Sequence, residues 1–222
     1  MSTGPSSTEQ RGSRNAPRRR TGRLASADVI REAALALFLR QGYAGTSMDE
    51  IAALASVSKQ TVYTHFADKE QLFRDLILGN ARLVDGFLDD MRTALREAEE
   101  PARDLSALAR RYVAFVIRPQ VVLLRRLVIG EASHFPELAR TYYERAPERV
   151  IKAFAGGFRD LVTRGLLRGD DPLLMANHFV WLVLGATLDG ALFRGPEALD
   201  EAELQRVADA GVRAFVAAYG AP

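Results

Sequence analysis

The chain contains no cysteine among its 222 residues. Disulfides, thiolate metal sites and cysteine nucleophiles are therefore excluded, and a reducing compartment such as the cytoplasm is the expected location. Long apolar runs are also missing, because runs such as Phe179 to Leu184 are far shorter than the roughly 18 residues that a membrane-spanning helix needs. The polar, arginine-bearing N-terminus has no apolar segment after it, so we expect neither a secretory signal nor a membrane partner.

Sequence motifs of common enzyme classes are missing too. There is no glycine-rich dinucleotide motif, no P-loop and no Gly-x-Ser-x-Gly. Glu131 and His134 form a carboxylate–imidazole pair at helical spacing, but a di-iron site in a helix bundle needs two such pairs. We therefore expect no catalytic residues, no metal ligands and no cofactor. The adjacent carboxylates Asp89–Asp90 and Asp170–Asp171 are interpreted as solvated or capping groups.

What the sequence does have is an uneven charge distribution around a net charge of +2. Residues 1–67 carry nine Arg and Lys against five Asp and Glu, whereas residues 68–222 carry 21 against 23. Six of the arginines lie in residues 1–23, a segment rich in Ser, Thr, Gly and Pro that predicts a disordered basic arm. The first third of the chain is thus the part that can attract phosphate.

Apolar residues recur at helical spacing from Ser26 onward, and no stretch alternates convincingly with a period of two. The pattern predicts an all-α fold. Helices are expected at 27–41, 47–55 and 58–66, followed by one continuous helix of about 30 residues that starts after Asp68. Prolines and glycines delimit the others, at about 102–118, 120–133, 137–165, 172–193 and 200–219.

The second and third helices have the arrangement of a helix-turn-helix. Ser47 and Ser58 stand in capping positions at their starts, with a tight turn between them. If Val62 and Phe66 face the core, the outward face of the third helix is polar and has no acid. It comprises Lys59, Gln60, Thr61, Tyr63, Thr64 and His65.

This polar face has the chemistry to read a DNA major groove. Lysine can donate to guanine, glutamine can pair with adenine, and a threonine methyl group can touch thymine. Tyr63 and His65, at the far end, suit phosphate oxygens. Lys69 stands at the start of the following helix. Together with the positive end of that helix's dipole, it forms a further phosphate-binding site.

Residues 42–52 (GYAGTSMDEIA) and 57–73 (VSKQTVYTHFADKEQLF) closely resemble the DNA-binding domain of the TetR family of bacterial one-component repressors. The resemblance covers about 30–77 and implies residue roles. It implies phosphate contacts for Thr46, Tyr63, His65 and Lys69. It implies contacts with base edges for Lys59, Gln60, Thr61 and Thr64. The remaining expected DNA contacts are Ser47 and Ser58. One departure is Ser56, where the family often has glycine. If that position needs a positive φ, the serine costs on the order of 1 kcal/mol.

The remaining two thirds resemble the C-terminal domains of that family, most of all its AefR-like branch, at 118–132, 135–139 and 166–193. This resemblance implies a ligand-responsive homodimer whose last two helices pack against their symmetry mates in a four-helix bundle. Residues 173–193 agree with it, because their apolar side chains occupy more than one helix face. The expected division is a disordered arm at 1–23, a helix-turn-helix domain at 24–70, and an effector-binding and dimerisation domain at 71–222.

Polar and aromatic side chains on otherwise apolar helices are candidates for the effector cavity, although core or interface packing is the simpler interpretation of each. They are Phe87, Arg111, Tyr112, Phe115, His134, Asn177, His178 and Trp181.

The expected function is a DNA-binding transcriptional regulator that, as a repressor, releases a near-palindromic operator on binding a small molecule. Activation instead of repression also fits the sequence. Two other classes stay open at this stage: a helical enzyme acting on a small apolar molecule in the C-terminal cavity, and a helical adaptor that binds only protein.

Overall fold

The computed structural model describes residues 18–195 and 200–221. Within those residues the regular structure is helical, apart from one isolated β-bridge between Leu167 and Gly220. The helices are α1 (Arg18–Gln41), α2 (Met48–Leu54), α3 (Lys59–His65), α4 (Lys69–Asn80), α5 (Val84–Glu97), α6 (Pro101–Val116), α7 (Pro119–Gly130), α8 (Pro136–Arg145), α9 (Pro147–Thr163), α10 (Pro172–Arg194) and α11 (Glu201–Tyr219). The all-α fold predicted from the sequence is confirmed.

The first helix begins at Arg18, earlier than the predicted start at Ala27. Residues 18–23, assigned above to the disordered arm, are therefore helical, and residues 1–17 of that arm lie outside the described residues. The reason is local propensity: arginine and leucine are strong helix formers, and one glycine costs only about 1 kcal/mol. In the sequence, Pro17 stands just before the helix, a place where proline is well tolerated.

The helix-turn-helix is held by side-chain caps at both of its short helices. Ser47 forms the predicted capping box with Glu50: the serine hydroxyl accepts from the Glu50 N–H at 3.2 Å, and the Ser47 N–H donates to the Glu50 carboxylate at 2.8 Å. The Ser47 hydroxyl also lies 2.8 Å from the Glu50 carboxylate, and this hydrogen bond, followed by the one from the Ser47 N–H, lowers the pKa of Glu50. Ser58 caps α3 by accepting from the Thr61 N–H at 3.0 Å. Both helix starts are therefore fixed by the sequence itself.

The turn between α2 and α3 places Ser56 at a φ of 53°, in the left-handed region. A side chain there carries a cost that glycine avoids, so Ser56→Gly is expected to raise the free energy of unfolding by about 0.5 to 1 kcal/mol. Chemical denaturation followed by circular dichroism measures this. The control is Ala53→Gly in the adjacent helix α2, where glycine should destabilise by about 1 kcal/mol. Equal destabilisation by both changes would contradict the strain at Ser56.

Two helices that the sequence predicts as continuous are interrupted. A 3-10 turn at Ala81–Leu83 separates α4 from α5, just after Gly79 and Asn80, which have low helix propensity. The segment 137–165 is divided before Pro147, because a proline inside a helix removes a hydrogen bond and clashes with the preceding turn. The first interruption separates α4, which packs with the helix-turn-helix, from α5, which packs in the rest of the bundle.

The buried apolar residues form two clusters. The first contains residues of α1 to α4, and Leu124, Val128, Leu138 and Tyr142 join it from α7 and α8. The second is built from α5, α6, α9, α10 and α11, with four phenylalanines at its centre. These are Phe154, Phe158, Phe179 and Phe215, none of them more than 1% exposed. Helices α7 and α8 therefore join the N-terminal helices to the C-terminal bundle.

Helix α10 lies between α9 and α11 and contacts both. Its length and composition alone would allow it to span a membrane. It does not, however, contain an uninterrupted apolar run of about 18 residues. Of its most apolar stretch, 44% is buried inside the chain. The packing of α10 on α11 is close: a Cβ added at Gly211 would stand 2.5 Å from the carbonyl oxygen of Leu182. Helix α10 is thus a central packing element of the bundle.

Candidate nucleic-acid interface and effector cavity

The outward face of α3 is polar and accessible. Val62 and Phe66 are buried at 0% and 2% exposure, which fixes the helix against the core as predicted. Lys59, Gln60, Tyr63 and Thr64 are exposed, whereas Thr61 and His65 are half-buried. The two threonine hydroxyls already have partners, because Thr61 lies 2.8 Å from the Ser58 hydroxyl and Thr64 donates to the Gln60 carbonyl at 2.7 Å. The six predicted residues are therefore all at least partly accessible on one short helix.

Lys59 is held at the edge of this surface by an acid from the preceding helix. Its ammonium group lies 2.8 Å from the carboxylate of Asp49, and this hydrogen bond raises the pKa of Lys59. Both side chains are more than half exposed, so the pair contributes little to stability. The ammonium group can exchange Asp49 for a guanine acceptor or a phosphate without breaking the fold.

Thr46 does not lie on the surface. Its side chain is 2% exposed, and its hydroxyl donates to the carbonyl oxygen of Gly42 at 2.8 Å. The hydroxyl thus closes the turn between α1 and α2, and it is not free to hold a phosphate in this structure. Ser47 and Ser58 are exposed, but their hydroxyls serve as the helix caps described above.

Lys69 also turns inward, away from the phosphate role that the resemblance implies. Its ammonium group donates to the carbonyl oxygens of Tyr43 at 2.9 Å and Thr46 at 2.8 Å. It also lies 4.3 Å from the centre of the Tyr43 ring, within the range of a cation–π interaction. Burial, followed by the carboxylates of Glu70 and Asp68, raises the pKa of Tyr43. Lys69 therefore binds the α1–α2 turn to the start of α4.

The same turn receives a contact from the C-terminal part of the chain, which the sequence did not predict. Glu131, at the end of α7, accepts a hydrogen bond from the Tyr43 N–H at 3.3 Å, and its second oxygen lies 2.9 Å from His134. The Phe135 ring lies edge-on to the Tyr43 ring at 4.8 Å and contacts Phe73 at 5.4 Å. The end of α7 is thus connected directly to the turn that positions α2.

Two neighbouring cavities lie among α6, α7, α8, α9 and α10. The larger has a volume of about 360 Å³ and a mostly apolar wall that includes Val128, Ile151 and Leu184. The smaller, of about 40 Å³, reaches the 3-10 turn at Ala81. Four residues line both cavities, namely Tyr112, Arg125, Tyr142 and Pro147. The larger volume falls in the range typical of small-molecule sites.

The predicted effector residues are distributed over three places. Tyr112 and Trp181 line the larger cavity, and Phe115 lines the smaller one. Phe87 and Arg111 line a separate groove between α5 and α6, where Phe87 stacks on Phe115 at 4.9 Å.

The three other candidates lie elsewhere. His134 lies beside Glu131, in the contact between the end of α7 and the α1–α2 turn. Asn177 donates to the carbonyl of Leu173, and His178, in the first half of α10, lies 2.6 Å from the Tyr219 hydroxyl. These side chains do not line either cavity.

Arg125 and Tyr142 line both cavities but are not among the residues predicted from the sequence. A signal for Arg125 was present: it stands on the side of α7 that also carries the apolar residues Val121 and Val128. Tyr142 offered no comparable signal, because its role depends on how α8 packs. Among the described residues no group of three or more metal-ligating side chains is found.

A polar helix presented by a capped helix-turn-helix, joined to a helical bundle with an apolar cavity, defines a ligand-responsive DNA-binding regulator. The chain belongs to the TetR family. Residues 30–76 match the model of the bacterial regulatory proteins of the tetR family. Residues 103–221 match the model of the AefR-like transcriptional repressor C-terminal domain.

Individual relatives agree with this assignment. The chain is 39% identical over 158 residues to the uncharacterized HTH-type transcriptional regulator YhgD of Bacillus subtilis, which covers 70% of this chain and 78% of the relative. A crystal structure of a TetR-family regulator from Mesorhizobium loti shares 41% identity, covering 89% and 98% of the two chains with a TM-score of 0.81. The flavonoid-responsive regulator FrrA shares 32%, covering 88% and 97% with a TM-score of 0.64. The family consists of transcriptional regulators, so the enzyme interpretation gains no support.

Proposed function

We propose that this protein is a dimeric repressor that binds a near-palindromic operator and releases it when a small molecule enters the cavity beside Arg125. The observation that carries the proposal is the polar face of α3, which contains no acidic residue and is exposed at four of its six residues. In this proposal Lys59, Gln60, Thr61 and Thr64 meet base edges, and Tyr63 and His65 meet phosphates. Such a protein works where its operator DNA is, which is the cytoplasm of a bacterial cell.

The dimer in this proposal is supported by a face of α10 that no other described residue covers. One stripe along the whole helix is exposed or half-buried, although it includes large apolar side chains; its members are Leu174, His178, Trp181, Leu182, Gly185, Ala186, Asp189 and Phe193. Small exposed residues of α11, among them Ala214 and Ala217, offer a matching surface. A two-fold axis through these helices would require operator half-sites roughly 34 to 36 Å apart, about one turn of DNA.

Release of the operator requires a connection from the cavity to α3. The smaller cavity reaches Ala81, Leu83 and Val84, where the 3-10 turn joins α4 to α5. We place the boundary between the DNA-binding unit and the effector unit at this turn, because α4 packs in the first apolar cluster and α5 in the second. A ligand that favours another angle at this turn would change the spacing of the two α3 helices.

A second connection from the cavity to the DNA-binding helices runs through α7. Arg125 and Val128 line the larger cavity, and Glu131, one turn later, holds the Tyr43 N–H. A displacement of α7 would therefore reach the α1–α2 turn directly. Coupling of about 1 to 3 kcal/mol between ligand and operator would change operator affinity roughly 5- to 150-fold.

The test of the DNA-reading surface is selection of binding sites from random duplexes. Gln60→Ala is expected to relax the base preference at one position in each half-site, because it removes a bidentate contact worth about 1 to 3 kcal/mol. Tyr63→Phe should weaken binding to all sequences alike, because it removes a phosphate contact only. An unchanged base preference for Gln60→Ala, or no selected sequence for the unmodified protein, would contradict the proposed function.

A further inference from the structure

Arg125 is half-buried and lines both cavities, without an acid to pair with among the described residues. Among the residues that the structure describes, Arg125 has no side-chain hydrogen bond and no carboxylate within ion-pair distance. The other lining residues of the smaller cavity carry no charge. A cation held in a mostly apolar environment is costly unless something neutralises it. Arg125 therefore marks the place where an anion would be stabilised.

Two tyrosines converge on the same place. Tyr112 and Tyr142 are 4% and 6% exposed, and both line both cavities beside Arg125. Neither hydroxyl has a hydrogen-bond partner among the described residues. No fully buried side-chain oxygen in that part of the chain lacks a partner, so each hydroxyl must be open to space. Given the burial of the two rings, we assign that space to the cavities.

The charge state of these groups makes the site a donor site. Burial raises the pKa of Tyr112 to about 12, and the nearby Arg125 guanidinium opposes only part of that rise. The phenol therefore keeps its proton at neutral pH and can donate. Asp189 is the one acidic side chain among the described residues that line the two cavities; it is exposed in the single chain and belongs to the α10 stripe. The remaining wall of the larger cavity is apolar and aromatic.

We infer that the effector is an apolar molecule that carries one carboxylate, seated with its carboxylate against Arg125 and the hydroxyls of Tyr112 and Tyr142. This inference rests on the proposed function and names the ligand class of that site. A guanidinium presents two parallel N–H donors that match a carboxylate, and tyrosine hydroxyls can supply further donors to its oxygens. The apolar body would lie along Val128, Leu184 and Trp181 in the larger cavity.

The test compares ligands that differ only in their end group. The probes are decanoate, decanol and decylamine, and naphthylacetate with naphthylethanol and naphthylethylamine, each titrated calorimetrically into the full-length protein. In at least one series the acid should bind at least about tenfold more tightly than the alcohol, because a hydrogen bond to a charged group contributes more than a neutral one. Trp181 is the single tryptophan of the chain and lines the cavity, so its fluorescence gives a second readout.

Three variants separate charge recognition from simple packing. Arg125→Met should weaken binding of the acid roughly 10- to 100-fold and leave that of the alcohol nearly unchanged, which also shows that the cavity is still folded. Arg125→Lys should retain the preference for the acid. The matched control is Arg126→Met, because Arg126 is the exposed neighbour on α7 and lines neither cavity.

Four results would overturn the inference: equal affinity for acid and alcohol in both series, tightest binding of the amine, an acid preference that survives Arg125→Met, or no binding of any probe at millimolar concentration. Operator binding by the ligand-free protein is measured in parallel. If it is intact, only the ligand class is wrong. If the unmodified protein binds no operator, the proposed function itself fails.

Discussion

Leu182→Glu is expected to convert the dimer into a monomer and to lower operator affinity at least about a hundredfold. Leu182 lies on the uncovered stripe of α10 and is 42% exposed in the single chain, so the substitution does not place a charge inside the protomer's own core. In a two-fold dimer it would place two carboxylates in one apolar interface. Unpaired charges buried in this way cost far more than a surface contact contributes.

The large effect on DNA binding arises because the dimer presents α3 twice. When one α3 is bound, the second half-site is offered to the other α3 as an intramolecular partner, which raises the overall affinity by factors of about 10² to 10⁴. A monomer loses that factor while its recognition face stays intact. Sedimentation equilibrium measures the oligomeric state, and fluorescence anisotropy with a selected operator measures the affinity.

Leu173→Glu is the matched control for this substitution. Leu173 stands on the same helix and is 49% exposed, but it lies on the opposite side of α10, since nine residues at 100° each amount to half a turn beyond two full turns. The Leu173→Glu substitution should leave both the dimer and the operator affinity unchanged. If Leu182→Glu remained a dimer with full operator affinity, the α10 stripe would not be the interface.

Features decided by neighbours in sequence could be predicted without the structure. The caps at Ser47 and Ser58 need only residues three positions away, and the burial of Val62 and Phe66 follows from helical spacing. The cost at Ser56 was predicted on the condition of a positive φ, because the related family often has glycine there, and the structure gives Ser56 a φ of 53°. In each case the interaction lies within one turn of chain, where residue pattern and geometry are directly related.

Features decided by tertiary packing could not be predicted from the sequence. The carbonyl partners of Lys69 lie 26 and 23 residues away, and nothing in the local pattern shows that the side chain turns toward them. Glu131 contacts Tyr43 across 88 residues. The interruption after α4 was missed because the propensity penalty of Gly79 and Asn80 is small, and packing decides whether the helix continues. The cavity is formed by separate helices, so a single helix pattern cannot identify its lining.

Lys69→Met is expected to lower the free energy of unfolding by about 2 to 4 kcal/mol. The ammonium group makes two charge-assisted hydrogen bonds, to the carbonyls of Tyr43 and Thr46, and lies over the Tyr43 ring. Hydrogen bonds to charged groups contribute roughly 1.5 to 3 kcal/mol each and a cation–π contact about 0.5 to 2, but contributions that share one atom do not add fully. Methionine keeps most of the length and removes all of these interactions.

Lys59→Met is the matched comparison, since it makes the same chemical change ten residues earlier. Lys59 pairs with Asp49 at the surface, so its loss should change stability by less than about 1 kcal/mol while altering the base preference at one operator position. Chemical denaturation at one fixed protein concentration compares the two variants, because the stability of a dimer depends on concentration. Hydrogen exchange at residues 42–48 should show faster opening in Lys69→Met only.

The two lysines thus separate folding from recognition within one short motif. If Lys69→Met were as stable as the unmodified protein but weakened binding to every DNA sequence equally, Lys69 would be a phosphate ligand that leaves the Tyr43 and Thr46 carbonyls when DNA arrives. The opposite result, a loosened α1–α2 turn with lower stability, would show that the residue acts by positioning α2 beneath α3. The structure favours the second outcome because both carbonyl oxygens face the ammonium group at hydrogen-bond distance.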